Sequence, residues 1–261
     1  MMMSNHFFHL VNVSPWPILT SLSLLNLASS VIEWTLTGGC QFMFMFIIQV
    51  SLVSYQWWRD VVREAFYEGW RSAKTNTMIS GSSYIIFFIS SLFFYSFFLS
   101  LFLLLSEPWG SYWSLLTANR KYENWFYSHS ISYTLILLGS GFFITWCHYS
   151  IMIHNYSIAN QTLIVCCLLG VYFISIQMYE YMNLEFSFSD SVYGSSFYIL
   201  TGFHGLHVLV GLLFIYINLV RLTIMSFSSL MMMGLEYSIW YWHFVDLVWL
   251  FLYCFVYWWG S

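Results

Sequence analysis

The stretch SFYILTGFHGLHVLVGLLFIYINLVR, residues 196–221, contains no Asp, Glu or Lys, and its only Arg is its last residue. A helix of about 20 apolar residues spans the hydrocarbon core of a bilayer, so this stretch predicts a transmembrane helix. Its two histidines, His204 and His207, are spaced three residues apart and are expected on one helix face. They raise the question whether the helix binds a haem or a metal ion or uses the imidazoles in packing.

The composition of the whole chain extends this prediction to the rest of the sequence. Of 261 residues, 60% are hydrophobic and 7% are charged, whereas about 25% are charged in an ordinary soluble chain. These values predict an all-α integral membrane protein. The net charge of −4 excludes the basic footprint of a nucleic-acid-binding protein.

The cysteines show no C-x-x-C spacing, which argues against a disulfide framework or a thiolate zinc site and favours buried thiols. They are Cys40, Cys147, Cys166, Cys167 and Cys254.

Windows of membrane-spanning length identify seven spans, and hence one transmembrane domain over residues 1–261. The predicted spans are 16–34, 40–57, 83–105, 131–152, 160–182, 196–221 and 237–257. The segment 106–130 is the only long connection without a clear helix. The closing VYWWGS, residues 256–261, is typical of an aromatic belt at the headgroups.

The basic residues predict the orientation of the chain. Two of them, Arg120 and Lys121, fall on the side opposite the N-terminus. The other five fall on the N-terminal side: Arg59, Arg63, Arg71, Lys74 and Arg221. Lys and Arg are enriched on the cytoplasmic or matrix side, so the N-terminus is predicted inside and the C-terminus outside.

Ionisable residues inside predicted spans are functional candidates by default. They are His148, Glu180, His204, His207, Glu236, His243 and Asp246, with Glu33 at the end of the first span. One reading takes His204 and His207 as haem or metal ligands, with His243 as a third ligand. The other takes all of them as buried polar groups that bond between helices.

Helix geometry adds two expectations. Gly202 and Gly205 lie about 200° around the helix from His204 and His207, which predicts a smooth face for a neighbouring backbone. His243 and Asp246 are three residues apart, which predicts a His–Asp hydrogen bond along one helix face.

The stretch YQWWRDVVREAFYEG, residues 55–69, passes from apolar to charged residues at the inner membrane surface. Asp60, Glu64 and Glu68 form an acidic stripe that can pair with nearby arginines. The aromatic and cationic residues suit anionic lipid headgroups as well as plain solvation of a helix end. They are Trp57, Trp58, Arg59 and Arg63, with Arg71 and Lys74 farther along.

Several segments resemble subunit III of the haem–copper cytochrome c oxidases, in order and over nearly the whole chain. They are HLVNVSPWPIL (9–19), YQWWRDVVRE (55–64), ITWCHYSIM (144–152), GVYFISIQMYEY (170–181), FSDSVYGSSFYILTGFHGLHVLVG (188–211) and WYWHFVDLVWLFLYCFVYWWGS (240–261). The C-terminus is particularly similar to that of the mitochondrial members.

The resemblance implies seven transmembrane helices in two bundles around a V-shaped cleft filled with phospholipid. Helices 1–2 would occupy about residues 1–70, and helices 3–7 about residues 75–261. It also implies that this chain holds no haem, copper or other metal, because haem a and copper belong to subunits I and II. His204, His207 and His243 then match structural positions in the bundle, as do His148, Glu180, Glu236 and Asp246.

The resemblance further implies a non-catalytic core subunit of the proton-pumping terminal oxidase, respiratory complex IV. This subunit would stabilise the catalytic subunit, bind phospholipid and support proton uptake. Its partners would be subunit I as the main contact, subunit II, accessory subunits and a respiratory supercomplex, in the mitochondrial inner membrane. The residues that match or adjoin the lipid cleft are Trp57, Trp58, Arg59, Arg63, Glu64, Arg71 and Arg221.

The chain departs from the family pattern in two places. Ser90 or Ser91 stands where the family usually has a membrane-buried glutamate. The segment 106–130 diverges from its counterpart in the family, which predicts that it contacts lineage-specific subunits.

Two alternative functions remain. A stand-alone transporter or channel would use the buried His and Glu residues as a proton relay, but it would more often show broken helices, and no proline falls mid-span. A membrane cytochrome would need axial haem ligands on facing helices.

Overall fold

The computed structural model describes residues 13–68, 120–184, 186–189, 192–224 and 232–258. Every regular element in these ranges is a helix, as the composition predicted. The chain divides into two compact units, Met1–Met78 and Ile79–Ser261. The predicted span 83–105, including Ser90 and Ser91, lies outside the described residues, so the count of seven helices stays a prediction.

The first unit contains a helical hairpin of α1 (Trp16–Thr37) and α2 (Gln41–Glu68). Gly38 ends α1 in the left-handed region, with φ 73°, and its N–H donates to the Trp34 carbonyl at 2.8 Å. Trp16 Nε1 donates to an Asp60 carboxylate oxygen at 2.8 Å. This bond connects the beginning of α1 to the last third of α2.

The second unit contains four long helices that pack in a ring. They are α3 (Arg120–Met152), α4 (Tyr156–Asn183), α5 (Val192–Thr223) and α6 (Met233–Leu252), and a π-helical turn, Tyr253–Trp258, follows α6. Among these helices α3 packs on α4, α4 on α5, α5 on α6 and α6 on α3. The described part of this unit is therefore a four-helix bundle.

Each helix of this bundle has a segment long and apolar enough to cross a membrane. The segments are Ser130–Met152, Tyr156–Asn183, Phe197–Thr223 and Gly234–Tyr257. They coincide with the last four predicted spans to within a few residues, which confirms the membrane class of the protein.

One predicted connection is wrong in part. The helix α2 continues through the charged residues to Glu68, as the spacing of Asp60, Glu64 and Glu68 predicted, but α3 begins at Arg120 inside the predicted connection 106–130. Charged residues such as Arg and Glu are good helix formers, and no Gly or Pro interrupts either extension. Residues 106–119 lie outside the described part of the chain.

A compact turn joins α3 to α4. The His154 N–H donates to the Ile151 carbonyl at 3.0 Å and the Asn155 N–H to the Ser150 carbonyl at 2.8 Å. This pair of bonds is a Schellman motif, with His154 at φ 61° in the position that glycine usually takes. Asn155 also caps α4, because its side chain accepts from the Ile158 N–H at 3.3 Å.

The helices α5 and α6 approach closely at Gly211. A Cβ atom added there would lie 2.9 Å and 3.2 Å from two carbons of the Trp242 indole, a rigid ring that cannot yield easily. By contrast, no atom lies within 4 Å of a Cβ added to Gly202 or Gly205. The expected close packing at those two glycines is therefore absent from the described part of this chain.

We predict that Gly211→Ala lowers the free energy of unfolding by about 1–3 kcal/mol, because overpacking displaces the indole. Gly205→Ala on the same helix is the matched control. It is expected to be neutral or slightly stabilising, since Ala is the better helix former by about 1 kcal/mol. Unfolding midpoints of the purified full-length chain in detergent test this difference, and equal midpoints for the two variants would contradict it.

Candidate functional site

The centre of the bundle is a layer of buried rings, one from each helix. The ring of Trp249 on α6 lies 5.6 Å from Tyr133 on α3, 5.2 Å from Phe173 on α4 and 5.2 Å from His204 on α5. None of the four side chains is more than 1% exposed. Rings at these separations attract one another beyond the area they bury, so the layer holds all four helices in register.

The two histidines of the opening stretch both contact backbone carbonyls. His204 Nε2 lies 3.3 Å from the Val245 carbonyl oxygen, and His207 Nδ1 lies 2.7 Å from the Phe203 carbonyl oxygen. A ring nitrogen that faces a carbonyl must carry the proton and donate. The His207 ring also stacks on Tyr241 of α6 at 6.4 Å. Both imidazoles therefore take part in helix contacts.

Within the described ranges, no group of three or more His, Cys, Asp or Glu side chains is arranged to hold a metal ion.

A second buried group is the carboxylate of Glu180 on α4, which is fully buried. Gln177 Nε2 donates to one of its oxygens at 2.9 Å, and the Tyr257 hydroxyl lies 3.3 Å and 3.4 Å from its two oxygens. Tyr257 belongs to the π-helical turn and is 4% exposed, so its assignment to an aromatic belt is wrong. The bond connects the end of the chain to α4.

The third polar cluster joins α6 to α3. Trp242 Nε1 donates to Ser140 Oγ at 2.8 Å. Asp246 Oδ2 would lie 2.6 Å from a Cβ added to Gly141, so this carboxylate packs directly on the α3 backbone. His243 Nδ1 is 3.9 Å from Asp246 Oδ2. This distance is too long for the predicted His–Asp hydrogen bond.

The predicted burial of the ionisable residues holds for Glu180, His204 and Asp246. The others are partly exposed on this chain: His148, His207, Glu236 and His243. The spans are apolar on nearly every face, so the sequence pattern does not indicate which face meets the other helices.

The polar contacts that sequence reasoning missed come from neutral side chains. Asn218 on α5 donates to Ser238 Oγ on α6 at 2.6 Å and to the Gly234 carbonyl at 3.2 Å. Ser140 and Tyr133 likewise take part in bonds across helix boundaries, with Trp242 and with the Ile176 carbonyl. The only signal in the sequence is an amide or hydroxyl inside an apolar run, which is common to many positions that make no such contact.

The predicted lipid-binding stretch lies at the end of α2. Trp57 is half-buried, Trp58 is 43% exposed, and Arg59 and Arg63 are exposed. The Arg59 guanidinium lies 3.3 Å from the Asp60 carboxylate, which also accepts from Trp16. Of the other residues in this prediction, Glu64 lies on α2 and Arg71 lies outside the described residues.

The last residue of the predicted lipid set, Arg221, lies in the final turn of α5 and is half-buried. Its Nη1 would lie 2.7 Å from a Cβ added to Gly234. The guanidinium therefore covers the first turn of α6.

The remaining residues named in the sequence analysis are Glu33 and the five cysteines, which differ in exposure. Glu33 is exposed on α1. All five cysteines are free; Cys147 and Cys166 are buried, Cys40 and Cys167 are half-buried, and Cys254 is exposed. Burial of the thiols is therefore confirmed for two of them and wrong for Cys254.

Comparison with known proteins decides the family. The family described as Cytochrome c oxidase subunit III matches residues 6–261. The chain belongs to this family. The cytochrome c oxidase subunit 3 proteins of Ornithorhynchus anatinus and Locusta migratoria are 41% and 42% identical to it. The alignments cover 98% and 99% of this chain and 98% of each relative.

Membership in the subunit III family confirms the resemblance drawn from the quoted segments. The cytochrome c oxidase subunit 3 protein of Heterololigo bleekeri is 39% identical over 97% of this chain. The chain is thus a membrane-spanning subunit of an oxidase complex, with the other subunits of that complex as its partners.

We predict that Tyr257→Phe lowers the free energy of unfolding by about 1–3 kcal/mol, because it removes a hydrogen-bond donor from a buried carboxylate. Tyr216→Phe is the control, since Tyr216 is 57% exposed. Thermal unfolding of the full-length chain in detergent measures both. A Tyr257→Phe midpoint equal to that of the control would show that the bond to Glu180 contributes nothing.

Proposed function

We propose that this chain is a non-catalytic core subunit of the proton-pumping terminal oxidase in the mitochondrial inner membrane. It stabilises catalytic subunit I, its main contact, and helps to sustain proton uptake from the matrix side. The observation that carries this proposal is the ring layer around Trp249. There His204, the most buried ligand candidate, donates to the Val245 carbonyl and packs among aromatic rings.

In this proposal the redox chemistry belongs to partner chains. Haem a and copper are held by subunits I and II, and accessory subunits and a respiratory supercomplex complete the assembly. The N-terminus faces the matrix and the C-terminus the intermembrane space, a topology supported by the excess of basic residues on the N-terminal side.

A test of this assignment is purification of the native complex that contains the chain. We expect co-purification with haem a-containing subunits and cyanide-sensitive oxygen uptake from reduced cytochrome c. A chain that purifies without any haem-containing partner would reject the assignment.

The lipid part of the proposal rests on the end of α2. Exposed Arg59 and Arg63 follow the exposed Trp58 at the point where the apolar part of the helix ends. Indole rings and guanidinium groups at this level of a membrane suit the interface and its anionic headgroups. Trp57, Glu64 and Arg71 belong to the same stretch. Arg221, at the end of α5, is proposed as a separate phospholipid contact.

We predict that the double variant Arg63→Ala, Arg221→Ala retains anionic phospholipid roughly thirtyfold less tightly, because each basic residue contributes about 1 kcal/mol of attraction to an anionic surface. The half-life of the oxidase during turnover should shorten in parallel. Phosphorus per haem in the purified complex and the decay of oxygen uptake measure the two effects.

The control for this experiment is Arg120→Ala, Lys121→Ala, which removes the same charge from the predicted opposite side of the membrane. Lipid content and turnover half-life that match the wild type in the Arg63, Arg221 variant would reject the assignment of those arginines.

A further inference from the structure

Two buried polar atoms on α6 have no hydrogen-bond partner among the described residues. They are Oδ1 of Asp246, which is an acceptor, and Nε1 of Trp249, which is a donor. Asp246 is 6% exposed and Trp249 is 1% exposed, so neither atom is open to the surroundings of the bundle. An unbonded polar group at such depth costs free energy, and each of the two atoms therefore requires a partner.

The helical spacing places the two atoms next to each other. At about 100° per residue, a step of three residues returns to within about 60° of its starting direction. Asp246 therefore lies between His243 on one flank and Trp249 on the other. The carboxylate oxygen that lies 3.9 Å from His243 Nδ1 is Oδ2. Oδ1, the other oxygen, is thus the one on the side of Trp249.

The separation of the two side chains suits one small bridging molecule. Side chains three residues apart on a helix have Cβ atoms about 5–6 Å apart. Two hydrogen bonds of about 2.8–3.0 Å that meet at one atom span roughly 4.5–5 Å. Because no direct bond joins Oδ1 to Nε1 in the described residues, a single intervening molecule is the arrangement that satisfies both atoms.

The chemistry of the two atoms selects this molecule. It must donate a proton to Asp246 Oδ1 and accept one from Trp249 Nε1. A metal cation offers no acceptor to the indole N–H, and a halide anion offers no proton to the carboxylate. Water does both, and no smaller molecule combines a donor with an acceptor.

We propose that one water molecule is bound inside the bundle between Asp246 Oδ1 and Trp249 Nε1. Buried waters make about two to four hydrogen bonds to polar groups that otherwise have no partner. Ordered water also satisfies polar groups inside membrane-spanning bundles, where bulk water does not reach. This inference concerns the bundle itself and does not depend on the proposed function.

The water site adjoins the ring layer. Trp249 contacts Tyr133, Phe173 and His204 through its ring. A hydrogen bond from its N–H to a fixed water holds the indole in one orientation. The water thereby helps to keep the layer that aligns the four helices.

A second fully buried tryptophan of α6 provides the internal comparison. Trp242 is 0% exposed, and its Nε1 donates directly to Ser140 Oγ at 2.8 Å. Its only N–H is therefore already bonded, so Trp242 requires no water.

The first test is a density map of the purified wild-type complex at a resolution that shows ordered waters. We expect a water within about 2.7–3.2 Å of both Asp246 Oδ1 and Trp249 Nε1, and none on Trp242 Nε1. A map that shows other buried waters but none between these two atoms would overturn the proposal. A metal ion at this position, or a direct bond from Trp249 Nε1 to a protein group, would overturn it equally.

The second test is a double-mutant cycle on the full-length chain in detergent. Asp246→Leu removes the acceptor and keeps a side chain branched at Cγ, and Trp249→Phe removes the donor and keeps a ring. Either substitution breaks the same bridge, so the second one should cost less in the presence of the first. We expect a coupling of about threefold to tenfold in the unfolding equilibrium constant, as one hydrogen bond predicts.

The control cycle combines Trp249→Phe with Ser238→Ala. Ser238 lies 11 residues away on α6, or about 16 Å along the helix, so these two effects are expected to add. Additive effects for Asp246→Leu with Trp249→Phe would reject the bridge. The density map uses the wild-type protein, so it decides the question even where a variant fails to fold.

Discussion

The contact of the Trp249 ring with Tyr133, Phe173 and His204 is the interaction on which the described bundle depends. Inside a membrane, burial of apolar side chains gives little drive for helices to associate, because lipid tails are equally apolar. Van der Waals packing and hydrogen bonds between helices must therefore supply the free energy of helix association. A layer that takes one ring from each helix satisfies this constraint for all four helices at once.

Polar groups in the bundle follow the same constraint. Tyr257 bonds to Glu180 and Asn218 bonds to Ser238, so these contacts join the end of the chain to α4 and join α5 to α6. His243 differs, since its side chain is 42% exposed and lies 3.9 Å from Asp246 Oδ2, which is too far for a hydrogen bond. The buried polar groups are therefore the ones that stabilise this subunit from within.

Sequence reasoning located the helices better than their ends or contacts. The prediction 160–182 corresponds to Tyr156–Asn183, because an apolar run of membrane-spanning length has few alternatives. The predicted connection at 120–130 was wrong, since polar residues without Gly or Pro continue a helix as readily as they leave it. Tyr257 was misassigned to the interface because its bond to Glu180 joins residues 77 positions apart.

The sequence by itself determined the membrane class, the positions of the described helices and the oxidase family, because hydropathy and long matching segments are properties of the linear chain. Only the tertiary structure decided which faces meet. It selected Gly211 for close packing and left Gly202 and Gly205 open. It also buried Asp246 while exposing His243, three residues away. The physical reason is that a helix apolar on every face carries no stripe to direct its packing, so ring contacts and hydrogen bonds between distant residues choose the arrangement.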